Sequence, residues 1–413
     1  MHRLANSVRT RPAAETVRRA RPVARRLGVT RCVEVTHLDH VGIPVYCATR
    51  PDAAILQVTA GKGSHRDEAH AGALMEAIEH AVAEHAAPGA ALTWATPADV
   101  VAAGRGPALG SLGPHITRHI DPHLPVPWVQ ATDITRNIPL LLPPERVFVP
   151  CLEGQSQGWF GGSTTTGLAS GNTDDEAVLH GLLEVVEHDL TSFDQLGLGA
   201  PSHLVDPHAL PEEAGALYAA LRTAGLRVWL RWIPSLLHVA YFQCLIVDDE
   251  VVTPARCNGG YGCHPNPAIA AARALTEAAQ SRLSFIQGGR DDLTDSYARF
   301  AAMSPGQVAA YRDTLIARYS DPRRTVRFPD VPGLLPDPAA EPAALLAAML
   351  ARCQEKGSPF SSVAVYRFPP LAAPFHVVRV VVPGAEDWSA GQLRVGPRLL
   401  AATRSQRAEA GTP

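Results

Sequence analysis

Glutamates recur at one position in three similar segments of this chain, and a second glutamate follows three residues later in two of them. Each segment is a glycine-containing loop that runs into an alanine-rich helix, and the three span residues 61–80, 170–189 and 262–282. Aligned on the pattern A-x-x-x-[AG]-L-x-E-[AV]-x-[EQ], they superpose Glu76, Glu184 and Glu277, and then Glu79, Glu187 and Gln280. Residues three apart share one helix face, so the first two helices each present a pair of carboxylates.

These paired carboxylates predict a divalent-cation site. A helix that only packs into a core needs no acid at a fixed step after its Ala-Leu pair, so the recurrence indicates function. If the helices meet, their carboxylates repel one another unless cations lie between them, and oxygen-only sites suit Mg²⁺. We therefore predict that Mg²⁺ is bound by Glu76, Glu79, Glu184 and Glu187.

A lysine between two glycines supplies the complementary charge. The chain has only two lysines, Lys62 and Lys356, and Lys62 stands in Gly-Lys-Gly at the end of an apolar strand. Lysine is a compact point charge and a common phosphate ligand, and glycine lets a backbone approach a ligand closely. With Arg273, four residues before Glu277, it predicts a nucleotide site for phosphoryl transfer. The chain lacks G-x-x-x-x-G-K-[ST], which excludes a P-loop by pattern.

The composition is that of an ordinary globular protein of 413 residues, 46% hydrophobic and 19% charged. The net charge of −3 argues against nucleic acid as a partner, and no apolar run reaches the roughly 18 residues of a membrane helix. Nine arginines against one acid in residues 3–31 suggest a basic arm that contacts an acidic partner, or a solvated surface segment. No apolar stretch of a signal peptide follows them, and seven scattered cysteines show no disulfide or zinc spacing, so we expect a cytoplasmic protein.

Helical and strand patterns alternate, which predicts a mixed α/β (α+β) fold built of repeated loop-helix units. We expect strands at 146–149, 227–233 and 239–247, a binding loop at 154–172, a second loop at 258–264 and a capped helix from Ser304. A helix (343–355), two strands (362–367 and 375–382) and a polar terminus follow. The predicted divisions are a basic arm over residues 1–30, a catalytic domain over 31–320 and a proline-rich connector with a C-terminal subdomain over 321–413.

The motifs together resemble the YcaO superfamily. The resemblance runs from about Gly28 to Arg398 and rests on three blocks, namely GKG with ALMEAIEH, GLASGNTDDEA with GLLEVVEHD, and ALTEAAQSR with GGRDD. The segments THLDHVGIPV, ATRP, VVRVVVPGAE and VGPR are most similar to the members encoded beside TfuA-like partners.

This resemblance implies a YcaO-like fold around a central Mg-ATP site and an ATP-dependent enzyme that activates a peptide-backbone amide. ATP would phosphorylate the amide oxygen, a nucleophile would add to the carbon, and phosphate would leave. Sulfide gives a thioamide, a neighbouring Cys, Ser or Thr gives an azoline, and an amine gives an amidine. The family's motifs place the metal acids as above, nucleotide contacts on Lys62, Asn172, Glu176, Arg273, Glu277 and Arg282, and catalysis on Lys62, Glu79, Glu187 and Arg273.

Two departures from the family pattern bear on the reaction. Many relatives have arginine after each acid pair, where this chain has His80 and His188, which we expect to be charged only in part near neutral pH. Azoline-forming relatives commonly end in P-x-P-x-P, whereas this sequence ends with a lone Pro413. The ending favours thioamide formation with an outside sulfide donor. We expect a peptide or protein substrate, a TfuA-like or leader-binding partner and a homodimer.

Two alternatives from other classes stay open. Glu76 with His80, and Glu184 with His188, are i,i+4 pairs that could bind transition metals in a di-metal enzyme. Ferritin-like sites, however, use Glu-x-x-His in an all-α bundle, and this chain has neither feature. The other alternative is a peptide-binding scaffold with a degenerate nucleotide site, against which the intact lysine, asparagine and acids argue.

Overall fold

The computed structural model describes residues 2–3, 7–251, 253–334, 340–389 and 391–409. Cα packing groups the chain into two compact units, each made of two segments: unit 1 comprises 1–78 and 201–341, and unit 2 comprises 79–200 and 342–413. This grouping is discontinuous in sequence. The functional divisions expected at residues 30 and 320 stay a prediction, and Pro413 lies outside the described residues.

Helices and strands alternate along the described chain, as the mixed α/β prediction requires. The helices are α1 Ala13–Arg26, α2 Arg66–Ala86, α3 Pro97–Ala102, α4 Asp174–Gln195, α5 Glu212–Thr223, α6 Pro267–Gln287, α7 Thr294–Ala301, α8 Pro305–Ser320, α9 Pro342–Cys353 and α10 Pro397–Glu409. The strands are β1 His2–Arg3, β2 Val8–Arg9, β3 Arg31–Glu34, β4 Val45–Thr49, β5 Val58–Lys62, β6 Thr93–Ala95, β7 Val126–Asp133, β8 Ile138–Leu142, β9 Leu168–Gly171, β10 His203–Val205, β11 Arg227–Ile233, β12 Ala240–Val247, β13 Cys257–His264, β14 Thr325–Val326, β15 Ala364–Arg367 and β16 His376–Val381.

Each unit is built on its own sheets. Unit 1 holds a sheet in the order β3-β4-β5, a larger sheet in the order β13-β12-β11-β10-β14, and the short pair β1-β2. Unit 2 holds one sheet in the order β6-β7-β15-β16-β9, with β8 paired to β7. The pairings are antiparallel apart from the parallel pair β10-β14. Strands β5, β9 and β13 each lie at the end of a described strand order, so one side of each remains open to other elements.

The three sequence repeats are three strand-turn-helix units. Strand β5 leads into α2, β9 into α4, and β13 into α6. Side chains close two of the turns, because the Thr173 hydroxyl accepts a hydrogen bond from Glu176 N (3.3 Å) and the Asn266 side chain accepts one from Ala268 N (2.9 Å). Such caps satisfy amides that the first helical turn leaves without a partner. The common alignment therefore reflects a common local structure.

Glycines let each repeat's helix lie directly on its strand. A Cβ added to Gly61 in β5 would stand 2.0 Å from the backbone oxygen of Ala69 in α2, and one added to Gly260 in β13 would stand 2.2 Å from that of Ala274 in α6. The same substitution at Gly171 in β9 would meet Ala177 N in α4 at 2.6 Å. These separations are too short for any side chain, so the contact requires glycine.

The alanines of α6 serve the same close packing. Its apolar face is built of small residues that are fully buried against the apolar face of β12, which includes Phe242, Cys244 and Ile246. Helix α5 covers the same face of the sheet through Leu217 and Leu221. Unit 1 therefore has a large continuous core in which one helix is held at backbone distance from the sheet.

Several sequence expectations are confirmed. Strand β11 has the predicted bounds, and Ser304 opens α8 with a capping box in which its side chain and that of Gln307 bond reciprocally to the backbone. Helix α9 and strands β15 and β16 lie close to their predicted ranges.

Other expectations are wrong. Residues 258–264 form most of strand β13 rather than a loop. The strand expected at 146–149 is absent from this described stretch, where a 3₁₀ turn covers Pro144–Arg146. The long loop expected at 154–172 ends in strand β9. The C-terminal segment is polar and exposed as expected, and it contains helix α10.

Replacement of Gly260 by Ala tests the close contact. We expect Gly260→Ala to lower the free energy of unfolding by about 2–4 kcal/mol, because the added methyl group overlaps the α6 backbone. The matched control is Gly306→Ala in the first turn of α8, where no atom lies within 4 Å of the added Cβ. That change should raise stability by about 0.5–1 kcal/mol. Urea unfolding followed by circular dichroism measures both, and equal effects would contradict the packing described.

Candidate active site

The glutamates at the first repeated position bind the strand of their own repeat. Glu76 Oε2 accepts a hydrogen bond from Ala60 N in β5 (3.2 Å), and Glu277 Oε1 accepts one from Tyr261 N in β13 (3.2 Å). Both strands lie at the end of their strand order, so these amides bond a carboxylate instead of a neighbouring strand. Glu184 makes a similar contact next to its strand, since a backbone hydrogen bond from Gly167, the residue before β9, lowers its pKa. The glutamates that the sequence repeat aligns at this position therefore make similar contacts with backbone amides.

Two of the three residues at the second repeated position, Glu79 and Gln280, bind the strand of a different repeat. Within unit 2, Glu79 Oε1 of the first repeat accepts hydrogen bonds from Ser170 N (2.9 Å) and Ser170 Oγ (2.6 Å) of the second. Within unit 1, Gln280 Nε2 of the third repeat donates to the oxygen of Ala60 in the first (2.6 Å). The repeats are therefore linked through this position, which the sequence alignment did not show.

Unit 1 places the predicted phosphate-binding cations beside an acid. The Lys62 ammonium forms an ion pair with Glu277 Oε2, and both side chains are partly exposed. Arg273 lies one turn earlier on α6, and its Nε is buried without a hydrogen-bond partner among the described residues. A buried guanidinium nitrogen without a partner is costly, and an anionic ligand would supply that partner.

Unit 2 buries the predicted nucleotide contacts of the second repeat. Glu176 Oε2 accepts hydrogen bonds from Asn172 N (2.7 Å) and Asn172 Nδ2 (3.1 Å). Asn172 is 8% exposed and Glu176 is 2% exposed. The two residues therefore order the turn between β9 and α4.

Further along α4, Glu184 lies in a charged cluster. Burial, with a smaller contribution from the charge of Glu187, raises the pKa of Glu184 to about 7 against the opposing charge of His188. His188 Nε2 lies 4.0 Å from Glu184 Oε1, and His188 Nδ1 lies 3.3 Å from Asp387 Oδ1. Burial alone would lower the pKa of His188, but the hydrogen bond with Asp387 and the charge of Glu184 raise it to about 9. The expectation of a partly charged His188 is therefore wrong, because the imidazole is a cation at neutral pH.

Asp387 is a residue that the sequence reasoning missed. Its carboxylate lies 3.2 Å from Arg394 Nη1 and 3.6 Å from Arg146 Nη1, and it accepts a hydrogen bond from Thr166 Oγ1 (3.0 Å). Burial alone would raise the pKa of Asp387, but the bond with His188 and the charges of Arg146 and Arg394 hold it far below its usual range. The only sequence signal is that these arginines stand in otherwise apolar surroundings.

Two of the buried arginines fix the loop before β9. Arg379 donates from Nη1 to Thr166 O (2.7 Å) and from Nη2 to Thr164 O (2.6 Å), and Arg394 Nε donates to Phe160 O (2.7 Å). Arg379 is 1% exposed and Arg394 is fully buried. The loop is therefore held by guanidinium donors and has a defined shape.

Arg282 has a different environment from the other predicted nucleotide contacts. It is 3% exposed, and its guanidinium pairs with Asp39 Oδ2 (2.9 Å) and Asp248 Oδ2 (3.0 Å) and donates to Ala255 O (3.1 Å). These partners give Arg282 a structural role in unit 1. Its contact with a nucleotide stays a prediction.

Comparison with known proteins decides the family. The sequence model described as YcaO cyclodehydratase, ATP- and Mg²⁺-binding, matches residues 60–386. The chain belongs to the YcaO family. This description confirms the predicted cofactors, ATP and Mg²⁺, and makes the chain a member of a family of ATP-dependent peptide-modifying enzymes.

Relatives of this YcaO chain align with most of it. An uncharacterized protein in the tfuA 3′ region of Rhizobium leguminosarum bv. trifolii is 33% identical over 407 residues, covering 94% of this chain and 91% of the relative. A protein of Methanothermobacter thermautotrophicus is 33% identical over 380 residues, covering 90% and 94%.

Solved structures confirm the YcaO-like mixed α/β fold. The structure of YcaO from Methanopyrus kandleri bound with AMPPCP and Mg²⁺ superposes with a TM-score of 0.71 at 27% identity, covering 94% of this chain and 95% of that one. A heterocyclase in complex with substrate and cofactor superposes with a TM-score of 0.74 at 19% identity, covering 96% and 55%. The second likeness shows the fold alone.

The residues of each unit fit the charges of Mg²⁺ and a nucleotide. Within unit 2, Glu187 raises the pKa of Glu184, a repulsion that a bound cation would relieve. Within unit 1, Arg273 Nε lacks a partner that a phosphate oxygen would provide. Among the described residues, no three His, Cys, Asp or Glu side chains form a metal-binding group. Mg²⁺ commonly takes only one or two carboxylates beside substrate phosphates, so the assignment of all four acids stays a prediction.

Among the described residues, no helix is both long enough and apolar enough to cross a membrane.

Replacement of Asp387 by Asn tests the buried cluster of this YcaO protein. We expect Asp387→Asn to lower the free energy of unfolding by about 3 kcal/mol, because Arg394 and Arg146 lose the charge that compensates them. The matched control, Asp313→Asn, removes a surface ion pair with Arg312 and should cost less than about 1 kcal/mol. A loss as small as that of the control, measured by urea unfolding, would contradict the structural role of Asp387.

Proposed function

We propose that the protein activates a backbone amide of a peptide substrate with ATP and replaces the amide oxygen with sulfur. The amide oxygen attacks the terminal phosphorus of ATP and ADP leaves. Sulfide then adds to the amide carbon, the C–O bond breaks, and phosphate departs with the original oxygen to leave a thioamide. The observation that carries this proposal is the family match over residues 60–386, which contains every residue assigned to the metal and the nucleotide.

The proposed roles follow from charge and position. Lys62 and Arg273 take the negative charge of the phosphates, and Lys62 is already held beside Glu277. Asn172, Glu176, Glu277 and Arg282 are the proposed nucleotide contacts. Mg²⁺, when bound, neutralises phosphate charge, and Glu76, Glu79, Glu184 and Glu187 are the residues that would hold it.

His188 contributes a positive charge where many relatives have arginine. Asp387 keeps its imidazole protonated and fixes the ring, so the charge is present at neutral pH. We propose that this pair replaces the arginine next to the second acid pair. Because Asp387 stabilises the protonated imidazole, His188 can carry the positive charge that an unpaired histidine would carry only in part at neutral pH.

Two observations support sulfide as the nucleophile. A relative at 33% identity is a protein in the tfuA 3′ region, which favours a TfuA-like partner for this chain. Burial raises the pKa of Cys32, Cys151 and Cys353 to about 12, so these thiols do not ionise readily to carry sulfur. An outside sulfide donor is consistent with both.

The second candidate reaction is azoline formation, which the word cyclodehydratase in the family description favours. There a Cys, Ser or Thr side chain of the substrate takes the place of sulfide, and one water is lost; an amine nucleophile would instead give an amidine. Incubation with ATP, Mg²⁺, sulfide and a candidate precursor peptide, followed by intact mass, separates these outcomes. Exchange of oxygen for sulfur supports the thioamide, whereas loss of water in the presence of sulfide contradicts it.

The setting of the reaction is also a proposal. We propose a homodimer in the cytoplasm that acts on a peptide or protein together with a TfuA-like or leader-binding partner. The association of the Rhizobium relative with tfuA supports the partner. Light scattering of the purified protein tests the dimer.

Removal of the proposed metal acids should abolish modification. Glu184→Gln and Glu79→Gln each keep the size of the side chain and remove its charge, and we expect the rate of peptide modification to fall at least about 100-fold. The control is Glu212→Gln on the exposed start of α5, which should keep the wild-type rate. Intact mass over time measures the rates, and wild-type-like product from either site variant would count against the metal assignment.

Lys62→Arg tests the requirement for a compact cation. The planar guanidinium cannot take the place of an ammonium beside Gly61, which already touches the α2 backbone, so we expect the KM for ATP to rise roughly tenfold. The chain's other lysine provides the control, because Lys356 is exposed and Lys356→Arg should have no effect. Full activity of Lys62→Arg in a steady-state ATPase assay would show that Lys62 is an incidental surface charge with no specific role in ATP binding.

A further inference from the structure

A basic cavity lies in unit 1, lined by residues to which the proposed reaction assigns no role. Its volume is about 240 Å³, and it lies where the C-terminal half of α1, the start of β3 and the N-terminal half of α2 meet. We call it the arginine cavity, and its main lining residues are Arg21, Arg25, Arg31, Cys32, His70 and Leu74.

The arginine cavity carries uncompensated positive charge. Three of its lining residues are arginines with exposed side chains, and no acid is among the described residues that line it. In the described part of the chain no acid pairs with Arg21 or Arg25, and Arg31 Nε has only a weak hydrogen bond to Thr49 Oγ1 (3.3 Å). Three arginines around one cavity attract an anion, and a guanidinium offers planar pairs of donors to a carboxylate.

The floor of the cavity is rigid and the wall is partly apolar. His70 is 8% exposed, and its ring stacks on Tyr46 with the ring centres 4.5 Å apart. Burial and the charge of Arg21 lower the pKa of His70, so its imidazole is neutral and offers one donor and one acceptor. Leu74 and Val29 supply apolar wall, against which the methylene groups of a side chain can pack.

We propose that the arginine cavity binds the carboxylate side chain of an acidic segment of the proposed peptide substrate. The volume equals that of about eight water molecules, which suits a glutamate or aspartate side chain. The apolar wall suits the methylene groups of glutamate better than a free inorganic anion. The site takes no part in the phosphoryl transfer, so it selects the peptide without changing the chemistry.

The test measures binding of a fluorescein-labelled hexaglutamate peptide to the full chain by fluorescence anisotropy. The variant Arg21→Gln/Arg25→Gln removes two charges from the cavity, and we expect its Kd to rise at least about tenfold. The control Arg18→Gln/Arg26→Gln removes the same charge from exposed positions of α1 that do not line the cavity, and it should change the Kd less than about twofold.

Any of four results would overturn the proposal. Equal weakening in both double variants would show general attraction to the basic helix, and no weakening in either would show that the peptide binds elsewhere. Binding of a hexaglutamine peptide with the same affinity as hexaglutamate would show that the carboxylate has no role. Binding of inorganic phosphate by a chain that does not bind hexaglutamate would show a site for small free anions. ATP binding should stay unchanged in the cavity variant, which separates failure here from failure of the proposed reaction.

Discussion

Direct contact between a strand and the backbone of its own helix is the constraint on which the rest of the structure depends. At Gly61, Gly171 and Gly260 no side chain could fit between the two elements. The alanines of the helices have the same purpose, since any larger side chain would push the helix away from the strand. Because the helix lies so close, a glutamate one or two turns along it reaches the amides of the strand. Hydrogen bonds from backbone amides therefore fix the orientation of these carboxylates.

Orientation of the acids has an electrostatic cost that a ligand can relieve. Glu184 and Glu187 raise each other's cost of ionisation within unit 2, while Asp387, His188 and two arginines form a compensated cluster beside them. In unit 1 the Lys62 ammonium is paired with Glu277, and the buried Arg273 Nε has no partner among the residues described. Taken separately, the acids of unit 2 suit a cation and the basic groups of unit 1 suit a phosphate, and the family binds ATP and Mg²⁺.

Much of this could be predicted from the sequence, because a helix repeats its apolar and acidic positions with a fixed period. That residues 61–80, 170–189 and 262–282 each run into a helix followed from that period, and the family followed from the motifs. Strand β13 did not, since Asn258 to His264 has the glycine-rich composition of a loop and becomes a strand only because α6 requires bare backbone there. Asp387 and Arg379 were missed because their contacts join residues far apart in the chain. The charge of His188 was misjudged for the same reason.

The most direct test is the affinity of the full chain for ATP, measured by calorimetry with Mg²⁺ and with EDTA in its place. If the repeated acids hold divalent cations against the phosphates, Mg²⁺ should tighten ATP binding at least about tenfold, because without it the carboxylates repel the nucleotide. In Glu184→Gln that dependence on Mg²⁺ should shrink, since less negative charge remains to be bridged. Equal ATP affinity with and without Mg²⁺ in the wild-type protein would contradict a site built on oriented acidic helices.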